Sequence, residues 1–316
     1  MYTTRTTRTK DVELISADPF EFIDIVNPVR KKKLKARTIS ARFLSRSRRR
    51  RKTKVAIVQL HGSNGWVEHH HRHANVWVSE GIGDVLQIKS FESRGVKSTA
   101  ERQIAVTMSM LIYDAFVALK WLRELGYERV ALAGWSLGGG ASVYAAMNII
   151  VNAFHVKPFD AHLAFYPGLN YKPVSHVTFT SAPILICQGD IDDYTPTSLA
   201  MEMVYVFKNQ CDANVRIERF ANSHHSFDRV DAPVQYFPKV RACGGIWTID
   251  LHSDGHMHLT GHASRRYETR EDRIRNGKFI TKHGAHMGGN PEQGARAFRV
   301  ACAFLTRALR RIPSPL

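Results

Sequence analysis

Gly134-Trp135-Ser136-Leu137-Gly138 matches G-x-S-x-G, a pattern in which a strand turns sharply into a helix and pushes a serine hydroxyl out of the sheet. The glycines flank a nucleophile in strained backbone geometry, where a side chain would collide with a neighbouring strand or helix. A serine hydroxyl is a poor nucleophile at neutral pH. It needs a base, and the base needs an orienting acid. Both follow in the chain. Gly189 to Pro196 (GDIDDYTP) offers a carboxylate just past an apolar run, and Ala221 to Asp228 (ANSHHSFD) offers His224 and His225. Leu137 presents a backbone N–H beside Ser136, and the turn His61-Gly62-Ser63-Asn64-Gly65-Trp66 can aim a second one at the same place. The chemistry these groups suit is acyl transfer. His61 reads as a structural hydrogen-bonding residue of its loop, not as the base.

Such residues need a scaffold. Val55–Leu60 (VAIVQL), Asp84–Ile88, Arg129–Ala133 (RVALA) and Pro183–Gln188 (PILICQ) are short apolar runs of buried strands, while Asn214–Phe220 (NVRIERF) alternates like an edge strand. Small residues from Gly138 to Ser142 open a buried helix running through Val143 to Val151, its N-terminus under Ser136, where free N–H groups favour an oxyanion. Thr99 to Leu125 reads as the clearest helix, with Thr99 as N-cap. Asn290-Pro291 opens the last one, with Phe298, Cys302, Leu305 and Leu309 as its apolar stripe. The alternation predicts an α/β fold with one mostly parallel, doubly wound sheet flanked by helices. Residues 1–54 read as a basic segment with leading strands, and 55–316 as the catalytic part of one continuous domain beginning near residue 12. Arg241 to Gly289, rich in Gly and His, has no readable order.

Four segments together resemble the dienelactone hydrolase-like branch of the α/β-hydrolases: LHGSNGW, GWSLGGG, AHLAFYPG at Ala161–Gly168, and GDIDDYTP with SHHSFD. The resemblance spans roughly Ser16 to Leu309. It implies an α/β-hydrolase fold, Ser136 as nucleophile, and Asp192 as the acid with Asp193 as fallback. It also implies His225 rather than His224 as the base, with the Ser63 and Leu137 amides as oxyanion donors. Founding members carry Cys where this chain has Ser136, which favours a general carboxyl-ester hydrolase over action on dienelactone itself. The implied substrate is a small-molecule ester, with no metal or organic cofactor required. A peptidase or acyltransferase on the same triad is the alternative.

Fourteen Lys or Arg and no acidic residue fall within Arg30–Lys54, so most of the +17 net charge sits there. Such a run can contact nucleic acid or another anionic surface, or serve a non-catalytic protein that binds an anionic partner. Leu34–Leu44 nevertheless alternates as a leading strand, and Arg46–Lys54 then reads as a solvated loop. Phe43 is the only aromatic in the run, which argues against a platform for stacking bases. His69, His70, His71 and His73, and the group His252, His256, His258 and His262, suggest adventitious metal affinity but not a catalytic metal. Glu68, Asp228 and Arg94 read as solvated charges; Arg94, just after a strand, is also a candidate for binding a substrate carboxylate. The four cysteines are too far apart for a disulfide framework. With no apolar signal region and no stretch long enough to cross a membrane, the expectation is a cytoplasmic protein.

Overall fold

The short apolar runs become the parallel strands of one sheet. The computed structural model describes residues 7–46, 54–174 and 176–310. In chain order its strands are β1 (Thr7–Ala17), β2 (Ala36–Arg46), β3 (Val55–Leu60), β4 (Asp84–Ile88), β5 (Arg129–Trp135), β6 (Ala161–Phe165), β7 (Tyr171–Pro173), β8 (Ile184–Gly189), β9 (Val215–Phe220), β10 (Gln235–Cys243), β11 (Ile249–Leu251), β12 (Met257–Leu259), β13 (His262–Arg266) and β14 (Thr281–Met287). Its helices are α1 (Phe22–Val26), α2 (Pro28–Lys31), α3 (Glu68–Ser79), α4 (Met108–Glu124), α5 (Leu137–Tyr144), α6 (Asn148–Phe154), α7 (Thr197–Gln210), α8 (Arg270–Asn276) and α9 (Pro291–Leu309).

The main sheet has the order β1-β2-β4-β3-β5-β6-β8-β9. β4 through β9 in that order run parallel, and β2 and β1 add antiparallel at one edge. Helices cover both faces, which is why β5, β6 and β8 read as almost unbroken apolar runs. Successive residues serve opposite layers. Val58 and Leu132 join Leu111 and Phe116 of α4 and Phe207 of α7, whereas Ile57 and Ala131 join Trp77 of α3 and Leu305 of α9. Because β4 and β5 leave β3 on opposite sides, the order reverses there and opens a crevice at the carboxyl ends of the strands. The loops after β3, β5, β8 and β9 meet around it. This is the α/β-hydrolase arrangement.

Some boundaries differ from expectation. The long helix starts at Met108, not Thr99, and Thr107 caps it by accepting from the Met110 N–H. Thr99 instead donates its N–H to Ser63 O at 2.8 Å, so the preceding segment folds over the β3 turn. The helix expected through Val151 breaks into α5 and α6, with Met147 between them bridging to Phe179. In α9 the buried stripe is Ala297, Ala301, Phe304, Leu305 and Leu309, while Phe298 and Cys302 stay half-buried. Asn290 caps that helix as read, accepting from Gln293 N–H.

The unreadable stretch forms two pieces. β10 and β14 pair antiparallel, and the chain between them makes β11, β12, β13 and α8, with β11 lying beside β7. In the basic segment, Arg30 pairs with Asp24 and Arg37 with Asp18, while Arg46 donates to Ser79 O. Residues 47–53 of the expected charged loop lie outside the described residues. Among the described residues no helix is long and apolar enough to cross a membrane.

Candidate active site

β5 runs into the turn at Ser136, where φ 52° and ψ −111° lie outside the regions a non-glycine residue usually adopts. Neighbours hold the strain: Ser136 N–H donates to Phe165 O at 2.9 Å, and Gly140 N–H donates to Ser136 O at 2.9 Å. The flanking glycines are sterically required. A Cβ on Gly134 would lie 2.0 Å from Gly138 O, and one on Gly138 would lie 2.5 Å from His61 O.

The loop after β8 carries Asp192, buried, with its carboxylate fully engaged. Oδ1 accepts from the N–H groups of Tyr194 and Thr195 at 2.9 and 2.8 Å, and Oδ2 accepts from Thr195 Oγ1 at 2.9 Å and Gln188 Nε2 at 3.2 Å. The loop after β9 brings His225 Nδ1 to 2.9 Å from Asp192 Oδ2 and His225 Nε2 to 2.9 Å from Ser136 Oγ. With Nδ1–H donating to the carboxylate, the Nε2 lone pair is left to accept the serine proton. Tyr194 stacks on the imidazole at 4.5 Å and 28°, and Tyr166 meets it edge-on at 4.5 Å and 60°. Two aromatic walls therefore fix the ring plane. Ser136, Asp192 and His225 are thus brought together, whereas Asp193 and His224 are not. Asp193 instead accepts from His286.

Asp228 overturns its reading as a solvated charge. It is 5% exposed, and its carboxylate accepts from Tyr166 OH at 2.7 Å and Trp135 Nε1 at 2.9 Å. His73 Nε2 and His69 Nε2 of α3 lie 3.3 and 3.8 Å away. The i, i+4 histidine pair thus faces a carboxylate supplied 155 residues later by the chain. Burial pushes Asp228 toward protonation, but His69, His73 and Tyr166 outweigh it and hold the carboxyl well below its usual range. Burial pulls His69 down to about 4, so that ring is neutral at neutral pH.

Arg94 also departs from expectation. Its guanidinium donates to Asp114 at 2.7 and 3.0 Å and to Asp18 at 2.8 Å, and its side chain is 4% exposed. It ties the 92–94 turn to α4 and the β1 end, and it does not line the cavity over Ser136. Glu68 is exposed, as read. His61 is buried with Nδ1 2.9 Å from Gly62 O, in keeping with a structural role.

The cavity over Ser136 has a volume of about 40 Å³ and is bordered by Ser63, Leu137, Tyr194, Cys243 and Arg273. Sequence reasoning missed Cys243 and Arg273, because nothing near Arg241–Gly289 carries a readable period, and it gave Tyr194 no role within GDIDDYTP. Burial pushes the Cys243 thiol up to about 12, so it lines the wall as a neutral thiol. Arg273 donates to Glu21 Oε1, Gln103 O and Tyr171 OH, at 2.7, 2.8 and 3.0 Å. Burial lifts Glu21 to about 7 against the pull of Arg273. A larger, open cleft of about 750 Å³ borders the same loops at Asn64, Ser226 and Met287.

A family model described as the dienelactone hydrolase family matches residues 51–244. A dienelactone hydrolase-like promiscuous phosphotriesterase from metagenomic libraries is similar at 12% identity, over 96% of this chain and 99% of that one, with a TM-score of 0.54. A Pyrococcus horikoshii acylaminoacyl peptidase is similar at 13% identity and a TM-score of 0.55, over 98% of this chain but 43% of its own. A Pyrobaculum calidifontis esterase is similar at 16% identity, over 70% of this chain and 78% of that one, with a TM-score of 0.48. At such identities the likeness is one of fold. Among curated proteins no match is found. The family match spans more than half of the chain and contains the loops that carry Ser136, Asp192 and His225, and the protein belongs to the dienelactone hydrolase family.

Proposed function

We propose that this protein hydrolyses carboxylic esters through an acyl-enzyme, with Ser136 as nucleophile, His225 as base and then acid, and Asp192 orienting the imidazole. The observation that carries the reading is the unbroken chain from Asp192 Oδ2 through His225 to Ser136 Oγ, with both hydrogen bonds 2.9 Å long. As Oγ bonds to the ester carbon, its proton passes to His225 Nε2 and the carbonyl electron pair moves onto oxygen. Collapse expels the alkoxide, which takes the proton from Nε2. Water then repeats the sequence on the acyl-enzyme.

The Ser63 and Leu137 amides are the proposed oxyanion donors. Both residues border the cavity with Ser136, and among the described residues neither N–H donates to another protein group. Leu137 is also the first residue of α5, where the helix dipole favours negative charge. The smaller cavity suggests a size limit. About 40 Å³ beside Ser136 suits a short acyl group, while the 750 Å³ cleft lies apart from it on the Asn64 and Ser226 side.

The test is p-nitrophenyl ester hydrolysis by wild type and Ser136→Ala. Acetate and butyrate are expected to turn over with a burst of p-nitrophenol, octanoate much more slowly. Ser136→Ala is expected to lower kcat by about a millionfold, as in other serine hydrolases. Equal rates in the two proteins would overturn the assignment.

A further inference from the structure

Each catalytic loop carries a residue that the proposed chemistry leaves over. Asp193 follows Asp192, His224 precedes His225, and both turn toward His286 on β14. One ligand atom from each of the three lies within 4.8 Å of the other two. His286 Nδ1 is 2.8 Å from Asp193 Oδ2, and the His286 N–H donates to Asp193 Oδ1 at 2.8 Å. The His224 and His286 rings are 5.1 Å apart. His224 Nδ1 is buried and has no hydrogen-bond partner among the described residues. An imidazole nitrogen in that position needs an explanation.

We propose that Asp193, His224 and His286 bind one divalent cation of the zinc class, and that the ion clamps the acid loop to the base loop through β14. Two imidazoles and one carboxylate are a ligand set that zinc accepts, with water completing a tetrahedral shell. All three side chains are half-buried, so solvent reaches the site. On ligation His286 carries its ring proton on Nε2, the Nδ1 lone pair goes to the metal, and the Asp193 carboxylate exchanges a hydrogen bond for a metal bond. The ligands flank the triad without belonging to it, so the ion contributes position rather than catalysis. β14 is already attached to the base loop. Met287 bridges to His225, and Gly288 N–H donates to His225 O at 2.9 Å.

The other histidine groups differ. His69 and His73 face Asp228 deep under α3. His252 and His258 lie Nε2 to Nε2 at 2.9 Å, a pair that serves as the control.

The experiment is calorimetric titration of the chelator-treated full chain with Zn²⁺, with melting followed in parallel. Neither readout depends on ester turnover. Wild type is expected to bind one tight equivalent and to melt on the order of 5 °C higher at a hundredfold excess over Kd. His286→Ala and His224→Gln are each expected to weaken binding by about a hundredfold or more and to lose the rise in melting temperature. His224→Gln keeps a polar side chain of similar size, so its metal-free melting should match wild type. His258→Ala should bind like wild type. The proposal is overturned if wild type binds no tight equivalent, or if the His224→Gln/His286→Ala double variant binds zinc as wild type does.

Discussion

At the residue scale, two charges that look alike in the sequence have different fates. A carboxylate in GDIDDYTP was legible because one between a serine elbow and a later histidine has a chemical reason to be there, and the family resemblance singled out Asp192 among the three. Asp228 was not, because its partners come from β5, α3 and the loop after β6, and no spacing announces them. Asp228→Ala would leave Tyr166 OH, Trp135 Nε1 and two histidines facing an apolar gap. Its expected cost is about 3 kcal/mol, read as a lower urea midpoint. kcat should also fall, because Tyr166 is one wall of the His225 ring. Arg94→Ala strands the buried Asp114 and is expected to destabilise by about 3–5 kcal/mol. KM for p-nitrophenyl butyrate should stay unchanged, whereas a substrate-binding Arg94 would raise it.

At the element scale the elbow was readable, because its glycines record a packing demand between β5, α5 and the β3 turn. Gly134→Ala places a methyl 2.0 Å from Gly138 O, so α5 must retreat. Loss of both activity and cooperative unfolding is expected. Gly95→Ala is the contrast. At φ 66° with nothing within 4 Å, it should cost on the order of 1 kcal/mol and leave activity intact. Helix starts were less legible. Thr99 and Thr107 both precede apolar residues, and only the tertiary engagement of Thr99 with Ser63 decides between them. β11 and β12 have three residues each, too short for any period to show.

At the scale of the whole molecule, buried neutral histidines set the acid limit. Burial lowers His61, takes His70 well below its usual value, and pulls His69 and His162 to about 4. Above about pH 6.5 these rings are neutral in both folded and unfolded chains. As pH falls from there toward 4, the unfolded chain takes up protons that the folded chain refuses, so stability declines. His69 and His162 should each contribute ~3 kcal/mol to that loss. Glu21 acts in the opposite sense: raised to about 7, it contributes stability below about pH 4.5 that is lost as pH rises toward 7. Urea unfolding at pH 7 and pH 4.5 checks the balance, with His162→Gln expected to flatten the acid decline.

The β10–β14 pair has a practical consequence. The chain leaves on one strand and returns on its neighbour, so the excursion between Cys243 and Thr281 starts and ends at a fixed gate. That excursion supplies Tyr267, Arg273 and Ile280 to the wall of the cavity over Ser136, while Ser136, Asp192 and His225 all stand outside it. It is a cassette. Swapping its length and lining would redraw what fits beside the serine, and the hydrogen-bonded array of Ser136, His225 and Asp192 would keep its place.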